Sequence, residues 1–462
     1  MAKEREEMLP IAEKGRHLSA NSYTIMLLSM TITTSIFFLG WISSVLGLSL
    51  AQTIVAAIVG NGTVALVMYL NGYPGTKHGI PFPIQLRYTY GYKGATIPLI
   101  IRMIISLFWY GVDGYIAAWA ITEMILVLGG VSAEATISTA HTYAPYIFVA
   151  YLAFVCGIGS IKKIRGIKYL DLIAGPLLLV FFTIYTVYLL FFAPTTVKTL
   201  PSGVGWMSSS FFLAIAVQTA WWATIATNIS DISRFNKHPE NPNKTLVLPH
   251  ILGLILPQVF GTALGWFAVS LTGTMYSPID VIVYYAPMPI IALLGLVFAA
   301  LATASTNLTG DIPAVGNGII QLFKLSWRKS IVIATVIAFF VGPWWAFKES
   351  LDVAIYLTEF TSAYGCWLGP IASVMVADYW IGKKRNISVK ELYNPKGIYH
   401  GFSMIGLSSM AIGILGEYVI GFMTNSLKWY IIPFPGVELS WYYGSVISFL
   451  VYFVWMQFGH KR

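Results

Sequence analysis

At 462 residues the chain could hold about three soluble domains by length alone, but only 10% of it is charged while 57% is hydrophobic, with a mean hydropathy of +0.72. A soluble protein carries roughly 25% charged residues, so a water-facing surface is excluded. The net charge of +9 therefore calls for an explanation other than nucleic-acid binding, and the absence of a G-x-x-x-x-G-K-[ST] loop and of H-E-x-x-H excludes the usual machinery of ATP-driven pumps and zinc proteases.

Crossing a bilayer as a helix takes about 20 apolar residues. Such stretches run over 22–46, 50–70, 98–129, 143–162, 169–193, 207–230, 246–273, 288–323, 329–346, 350–377, 400–423 and 441–460. The third and eighth are longer than needed and are expected to tilt or project. Residues 1–21 read as a charged cytoplasmic tail, and the first stretch is too long for the core of a signal peptide, so no cleavage is expected. With the N-terminus inside, every one of the 28 Lys and Arg except Lys198, Lys348 and Lys428 falls on the inner side. That segregation orients a membrane protein. It makes the basic charge a matter of topology, with both termini cytoplasmic and the chain in the plasma membrane. Cys156 and Cys366 both fall in spans, as buried small residues rather than a disulfide or metal ligands. The seven histidines fall in or beside loops, so none is placed as a mid-membrane proton relay.

Twelve spans without a soluble domain leave secondary transport or a channel. Many secondary transporters pair two inverted halves whose broken first helices meet at mid-membrane to bind substrate and ion. Spans 1–5 (22–193) and 6–10 (207–377) are the expected halves, followed by two additional helices (400–460). Polar residues are costly in mid-span and gather where a cavity or partner receives them. Here they gather in the first span (Ser29, Thr31, Thr33, Thr34, Ser35), the sixth (Gln218, Thr219, Thr224, Thr227), the third (Asp113, Glu123) and the eighth (Thr303, Ser305, Thr306, Asn307, Thr309, Asp311). Neither the first nor the sixth has Pro or Gly at its centre, so their breakage rests on Ser and Thr alone. Gly261 and Gly265 form a G-x-x-x-G that permits close helix packing.

Four segments carry a family resemblance: Ser106-Leu107-Phe108-Trp109-Tyr110-Gly111 in the third span; Ala302-Thr303-Ala304-Ser305-Thr306-Asn307 in the eighth; Leu368-Gly369-Pro370 through Ala377-Asp378-Tyr379 with Lys383–Arg385 and Lys396-Gly397-Ile398-Tyr399; and Gly79-Ile80-Pro81-Phe82 in the loop before the third span. In order and spacing the chain resembles the nucleobase–cation symporter family of cytosine, purine, uracil, allantoin and hydantoin permeases, the sodium–hydantoin symporter most nearly. The resemblance implies an all-α membrane protein of twelve transmembrane helices, a leucine-transporter-like five-plus-five inverted repeat plus two. It also implies a substrate held between aromatic rings of the third and sixth spans, matching Trp109 and Trp222. Stacking a flat ring on an indole adds roughly 0.5–1.5 kcal/mol beyond burial.

Asp113, one turn from Trp109, faces the same way. The resemblance puts Asp113 and Asp311 where the hydantoin symporter has amides, so this pocket accepts hydrogen bonds where that one both donates and accepts. This favours a substrate rich in N–H donors, or a cationic ring; alternatively one carboxyl is protonated and takes part in proton coupling. Thr33 stands at the family's first-span Gln position and Trp221 at a small Gly, making a bulkier wall. Gln218, a turn before Trp222, and Asn307 complete the candidate substrate set. In sodium-coupled members carbonyls and hydroxyls surround Na⁺; the matching positions are Ser29 and Ile32, then Ala302, Ser305 and Thr306. Oxygen ligands suit a hard cation.

The expectation is a symporter, not an enzyme: a monomer without a cofactor, importing a nucleobase-like heterocycle with Na⁺ or H⁺ by alternating access. The alternatives are a symporter for a cationic vitamin-like ring such as thiamine, or a channel or receptor on the same scaffold.

Overall fold

The computed structural model describes residues 6–161, 165–193, 200–273, 276–423, 427–429, 433–435 and 439–459, with backbone alone for 165–172, 422, 427–429, 433–435, 458 and 459. Of the charges counted above, Lys3, Arg5, Lys162, Lys163, Lys198, Lys461 and Arg462 lie outside these residues.

The first span is two helices, α1 (Ala20–Thr31) and α2 (Thr34–Val45), bent by 54°. Thr33 is extended at φ −125° and ψ 173°. Its N–H turns to Thr31 O, so Ser29 O loses the donor that a continuous helix would give it. Then come α3 (Leu50–His78), α4 (Phe82–Tyr90), α5 (Thr96–Leu128), α6 (Ala133–Gly159), α7 (Arg165–Phe191), α8 (Ser209–Asn228) and α9 (Ser230–Ser233). A π turn at Ile251–Ile255 joins α10 (Asn243–His250) to α11 (Leu256–Thr272), and α12 (Pro278–Tyr284) follows. The eighth span is α13 (Pro289–Thr306), a π turn over Asn307–Asp311, and α14 (Ile312–Phe323). The chain ends with α15 (Trp327–Val341), α16 (Ser350–Ala377) with its π turn Asp378–Gly382, α17 (Val389–Leu392), α18 (Met404–Met423), a ribbon of β1 (Leu427–Trp429) with β2 (Pro433–Pro435), and α19 (Ser440–Gly459).

Among the described residues, ten helices and the bent pair are long and apolar enough to cross a membrane, eleven spans in all. The twelfth expected stretch is helical as α19 and packs on α16 and α18, but it is not one of those eleven. The packing has the exchange symmetry of an inverted repeat. The second span (α3) lies on the sixth (α8) as the seventh (α11) lies on the first (α2), and α5 of the third meets α13 of the eighth between them. Both crossings are close. A Cβ on Gly265 would sit 2.2 Å from Phe37 O, one on Gly40 would sit 2.1 Å from Thr262 O, and one on Gly60 would sit 2.6 Å from Gln218 Cβ. The G-x-x-x-G of Gly261 and Gly265 is thus the contact of α11 on α2.

Several expectations change. The sixth span is unbroken across Ser209–Asn228, so only one of the two matching helices is interrupted. The fourth begins at Ala133, which places His141 inside a helix and buried; His250 is likewise buried in α10. The loop before the third span holds α4, every residue of which is buried. Arg87 and Arg102, counted above as topological charges, are buried at 1% and 3% exposure. The described part of the N-terminal tail is packed rather than free: Met8 is buried, Ile11 N–H donates to Gly79 O at 2.9 Å, and Tyr393 Oη donates to Met8 O at 2.7 Å.

Candidate functional site

Where the first span breaks, the third, sixth and eighth spans converge on one cavity of about 30 Å³, lined by Met30, Thr33, Ser35, Trp109, Asp113, Trp221, Trp222, Thr224, Ile225, Thr306, Gly310 and Asp311. Thr33 and Ser35 enter because the break turns the start of α2 toward the cavity, their hydroxyls 2.5 Å apart. Asp311 and Gly310 enter through the π turn, whose extra residue re-aims the side chains after Thr306.

Both indoles are held from behind. Trp109 Nε1–H donates to Tyr364 Oη at 3.1 Å, and that hydroxyl donates to Ala220 O at 2.7 Å. Trp222 Nε1–H donates to Gln258 Oε1 at 3.0 Å. With their N–H groups turned away, the rings offer faces and edges to the cavity, not donors. Trp221 closes the gap: its ring lies edge-on to Trp109, centroids 4.9 Å apart at 67°. A volume of 30 Å³ is about one water's share of liquid, whereas ligand pockets run to about 300–1,000 Å³. In this conformation the cavity has no room for a planar ligand.

The polar lining is rich in acceptors. Asp113 is buried, with Oδ1 lacking a hydrogen-bond partner. Asp311 Oδ2 accepts from Asn307 Nδ2 at 2.8 Å. Asn307 is itself held by Tyr151, whose Oη donates to Asn307 Oδ1 at 2.8 Å, so this amide orients Asp311 and does not line the cavity. Nor does Gln218, which accepts from Asn61 Nδ2 at 3.0 Å and donates to Thr262 Oγ1 at 3.5 Å, joining α3, α8 and α11.

The five candidate cation ligands are divided between two elements. Ser29 and Ile32 stand at the end of α1, with their carbonyls facing α7: a Cβ on Gly175 would lie 3.1 Å from Ile32 O and 3.4 Å from Ser29 O. Ser29 Oγ is buried without a partner. On α13, Ala302 and Ser305 are buried, and the Thr306 hydroxyl donates to Ala302 O at 3.3 Å while also lining the cavity. Just past the break, the start of α2 is pinned to α13 by Thr34 Oγ1, which donates to Ala299 O at 2.9 Å, and by Thr303 Oγ1, which donates to Thr34 Oγ1 at 3.0 Å.

Toward the N-terminal face, Arg102 Nε–H donates to Thr224 O at 2.8 Å and Nη2–H to Asn228 Oδ1 at 3.0 Å, and Nη1–H reaches Ser106 Oγ. Asn228 Nδ2 donates to Asp231 Oδ2 at 3.2 Å, and Asp231 Oδ1 accepts from Phe82 N–H at 3.0 Å. This chain ties α5 to α8 and α4 beneath the cavity. Asp378 accepts from Thr89 Oγ1 at 3.1 Å and Lys383 Nζ at 3.0 Å, and also from Tyr452 Oη.

Residues 10–447 match the family model described as permease for cytosine/purines, uracil, thiamine, allantoin. The chain belongs to this permease family. The allantoin permease of Bacillus subtilis is 26% identical over 98% of this chain and 93% of its own length. The hydantoin permease of Microbacterium maritypicum is 23% identical over 81% of this chain and 76% of its own. Among solved structures, Mhp1, a nucleobase-cation-symport-1 family transporter in a closed conformation with bromovinylhydantoin bound, superposes with a TM-score of 0.80 at 22% identity over 99% of this chain and 96% of that one. The permease therefore has a five-plus-five inverted-repeat fold.

Tyr364, Gln258, Tyr151 and Arg102 were not singled out by sequence. The one signal for Gln258 and Tyr364 is mid-span polarity in the seventh and tenth spans, Gln258, Thr262, Thr361 and Ser362; Arg102 is a charge within the third span that the topology count absorbed, and Tyr151 carries no signal of its own.

Proposed function

We propose that the permease is a secondary active symporter that imports an N–H-rich heterocycle of the nucleobase, allantoin or hydantoin type together with a cation. The observation that carries this reading is the single cavity where Trp109, Trp222 and the carboxyls of Asp113 and Asp311 meet. Two indole faces suit a flat ring. The N–H groups of Trp109 and Trp222 and both nearby amides are engaged elsewhere, leaving the Trp221 N–H and side-chain hydroxyls as the lining's donors. Two carboxyls beside them accept, so the favoured ligand presents several N–H groups, as ureides do. A cationic ring such as thiamine is less favoured, because the similar permeases named above are those for allantoin and hydantoin.

Na⁺ suits the oxygens around the break. Ser29 O freed by the kink, Ile32 O, Ala302 O and the Ser305 and Thr306 hydroxyls are hard, neutral ligands. H⁺ is the rival, through Asp113 and Asp311. Cation and substrate binding to one shared conformation gives a coupling of about 1–3 kcal/mol, and rocking of 22–193 against 207–377 then exchanges access. The protein works as a monomer in the plasma membrane with both termini cytoplasmic.

The test is uptake of radiolabelled allantoin, hydantoin, uracil, cytosine and thiamine into proteoliposomes, with and without a Na⁺ gradient and with and without a proton gradient. Na⁺-driven uptake of a ureide or nucleobase supports the reading. Uptake of thiamine alone, or flux indifferent to both gradients, contradicts it.

A further inference from the structure

Two of the buried acids outside the cavity meet across neighbouring helices. Glu123 stands on α5 nearly three turns beyond Asp113, toward the face opposite the N-terminus, and Asp280 stands on α12. Both are fully buried at 0% exposure. Glu123 Oε1 accepts from Trp119 Nε1–H at 2.9 Å, and Asp280 Oδ2 accepts from Ser277 N–H at 2.8 Å. The remaining oxygens, Glu123 Oε2 and Asp280 Oδ1, are buried without a hydrogen-bond partner where α12 packs on α5, and the two carboxyls interact with one another. Two ionised carboxylates only accept, so this contact is complete only when a proton sits between them.

The Ser350 hydroxyl reaches Asp280, but among the described residues no cation faces the pair. α12 packs on α2, α5, α6, α11 and α13. Of these elements only α5 carries Lys or Arg, and that one, Arg102, lies beyond Trp109 on the opposite side. The titratable groups facing the pair are His141 and Tyr115, which bond each other at 2.8 Å, Tyr276 near α12, and Asp352 at the start of α16, whose neighbour Ser350 reaches toward both Asp280 and His141. None is a permanent cation.

We infer that Glu123 and Asp280 form a proton-binding site that latches α12 onto α5 at the face opposite the N-terminus. With one proton bound, a carboxylic acid donates to a carboxylate across the two helices. When that proton leaves to the outer water, two anions face each other in a buried site and α12 lifts. Tyr185 Oη, which donates to Val281 O at 2.9 Å, and Tyr285 Oη, which donates to Thr272 O at 3.2 Å, hold the rest of α12, so the carboxyl contact is the pH-dependent part. The sign follows from burial, which raises the Asp280 carboxyl above its ordinary range. The latched form is favoured at acidic pH and lost as pH rises. None of this depends on the identity of the substrate.

The experiment uses the full permease in lipid nanodiscs with Cys156 and Cys366 replaced by Ser and Val283→Cys on α12 as a reporter, labelled by a membrane-impermeant maleimide across pH. In the otherwise native protein labelling rises several-fold from acid to alkaline pH. In Glu123→Gln, whose amide supplies a donor at every pH, it stays low and flat. Asp280→Asn gives the same answer should Glu123→Gln fail to fold. Infrared difference spectra provide a second reading: a protonated-carboxyl band present at neutral pH in the native protein and absent from both variants. Labelling indifferent to pH in the native protein, a pH response unchanged in the variants, or a carboxyl band that survives both substitutions would overturn the inference.

Discussion

The first and sixth spans occupy matching places in the two repeats and both are rich in Ser and Thr, yet one is broken and the other is not. The difference lies in where the hydroxyls go. In the sixth span Thr219 and Thr227 donate back to Ile215 O at 2.8 Å and Ala223 O at 2.7 Å, one turn along their own helix, and the backbone ladder stays continuous although Thr219 also meets Tyr442 Oη at 2.8 Å. In the first span Thr34 donates across to Ala299 O of α13, and Thr33 pairs with Ser35 over the gap. A kink persists when another element takes up the freed groups. Composition alone is silent on that partner, and the unbroken sixth span is left free to present two adjacent indoles on a rigid face.

That contrast can be broken experimentally. The largest effect is expected at the rigid face: Trp222→Ala, or Trp109→Ala opposite it, should weaken ligand binding roughly 10- to 100-fold, from lost stacking and lost apolar burial, measured by isothermal titration with the best substrate from the uptake screen. Thr34→Val should cost about 1 kcal/mol of stability by removing the cross-link at the break and weaken the cation's effect on substrate affinity. Thr227→Val, which removes a bond within one helix, should stay within about 0.5 kcal/mol and leave coupling unchanged; thermal unfolding with and without Na⁺ compares the two. The smallest effect on binding is expected for Gln218→Ala. Affinity should hold while stability falls by about 1–3 kcal/mol, because Asn61 Nδ2 keeps only Ala57 O of its two acceptors in a buried site.

Much of this was legible in the sequence, for identifiable reasons. The span pattern follows from hydropathy; Asp113 and Asp311 were reachable because a carboxyl at mid-span is expensive, and Trp109, Trp221, Trp222 and Thr33 because the family resemblance matches their positions. What escaped depends on tertiary partners. The polar run Ala133-Glu134-Ala135-Thr136 begins α6, but hydropathy cannot register a helix that outruns the apolar stretch, so His141 was misplaced. Pro81-Phe82-Pro83 reads as a loop, and only its burial against neighbouring spans makes α4 a helix. Gln218 and Asn307 are good amides for a ring in sequence terms, yet in space Asn61 and Tyr151 engage them. Gln258 and Tyr364 act by fixing the indoles, a role visible only once the spans are assembled.

The most direct test is a structure of the permease determined with saturating substrate and cation. The account predicts flat ligand density between Trp109 and Trp222, within hydrogen-bonding distance of Asp113, with Trp221 swung off Trp109 to enlarge the cavity. Substrate density at another place, with Trp221 still edge-on to Trp109, would contradict it.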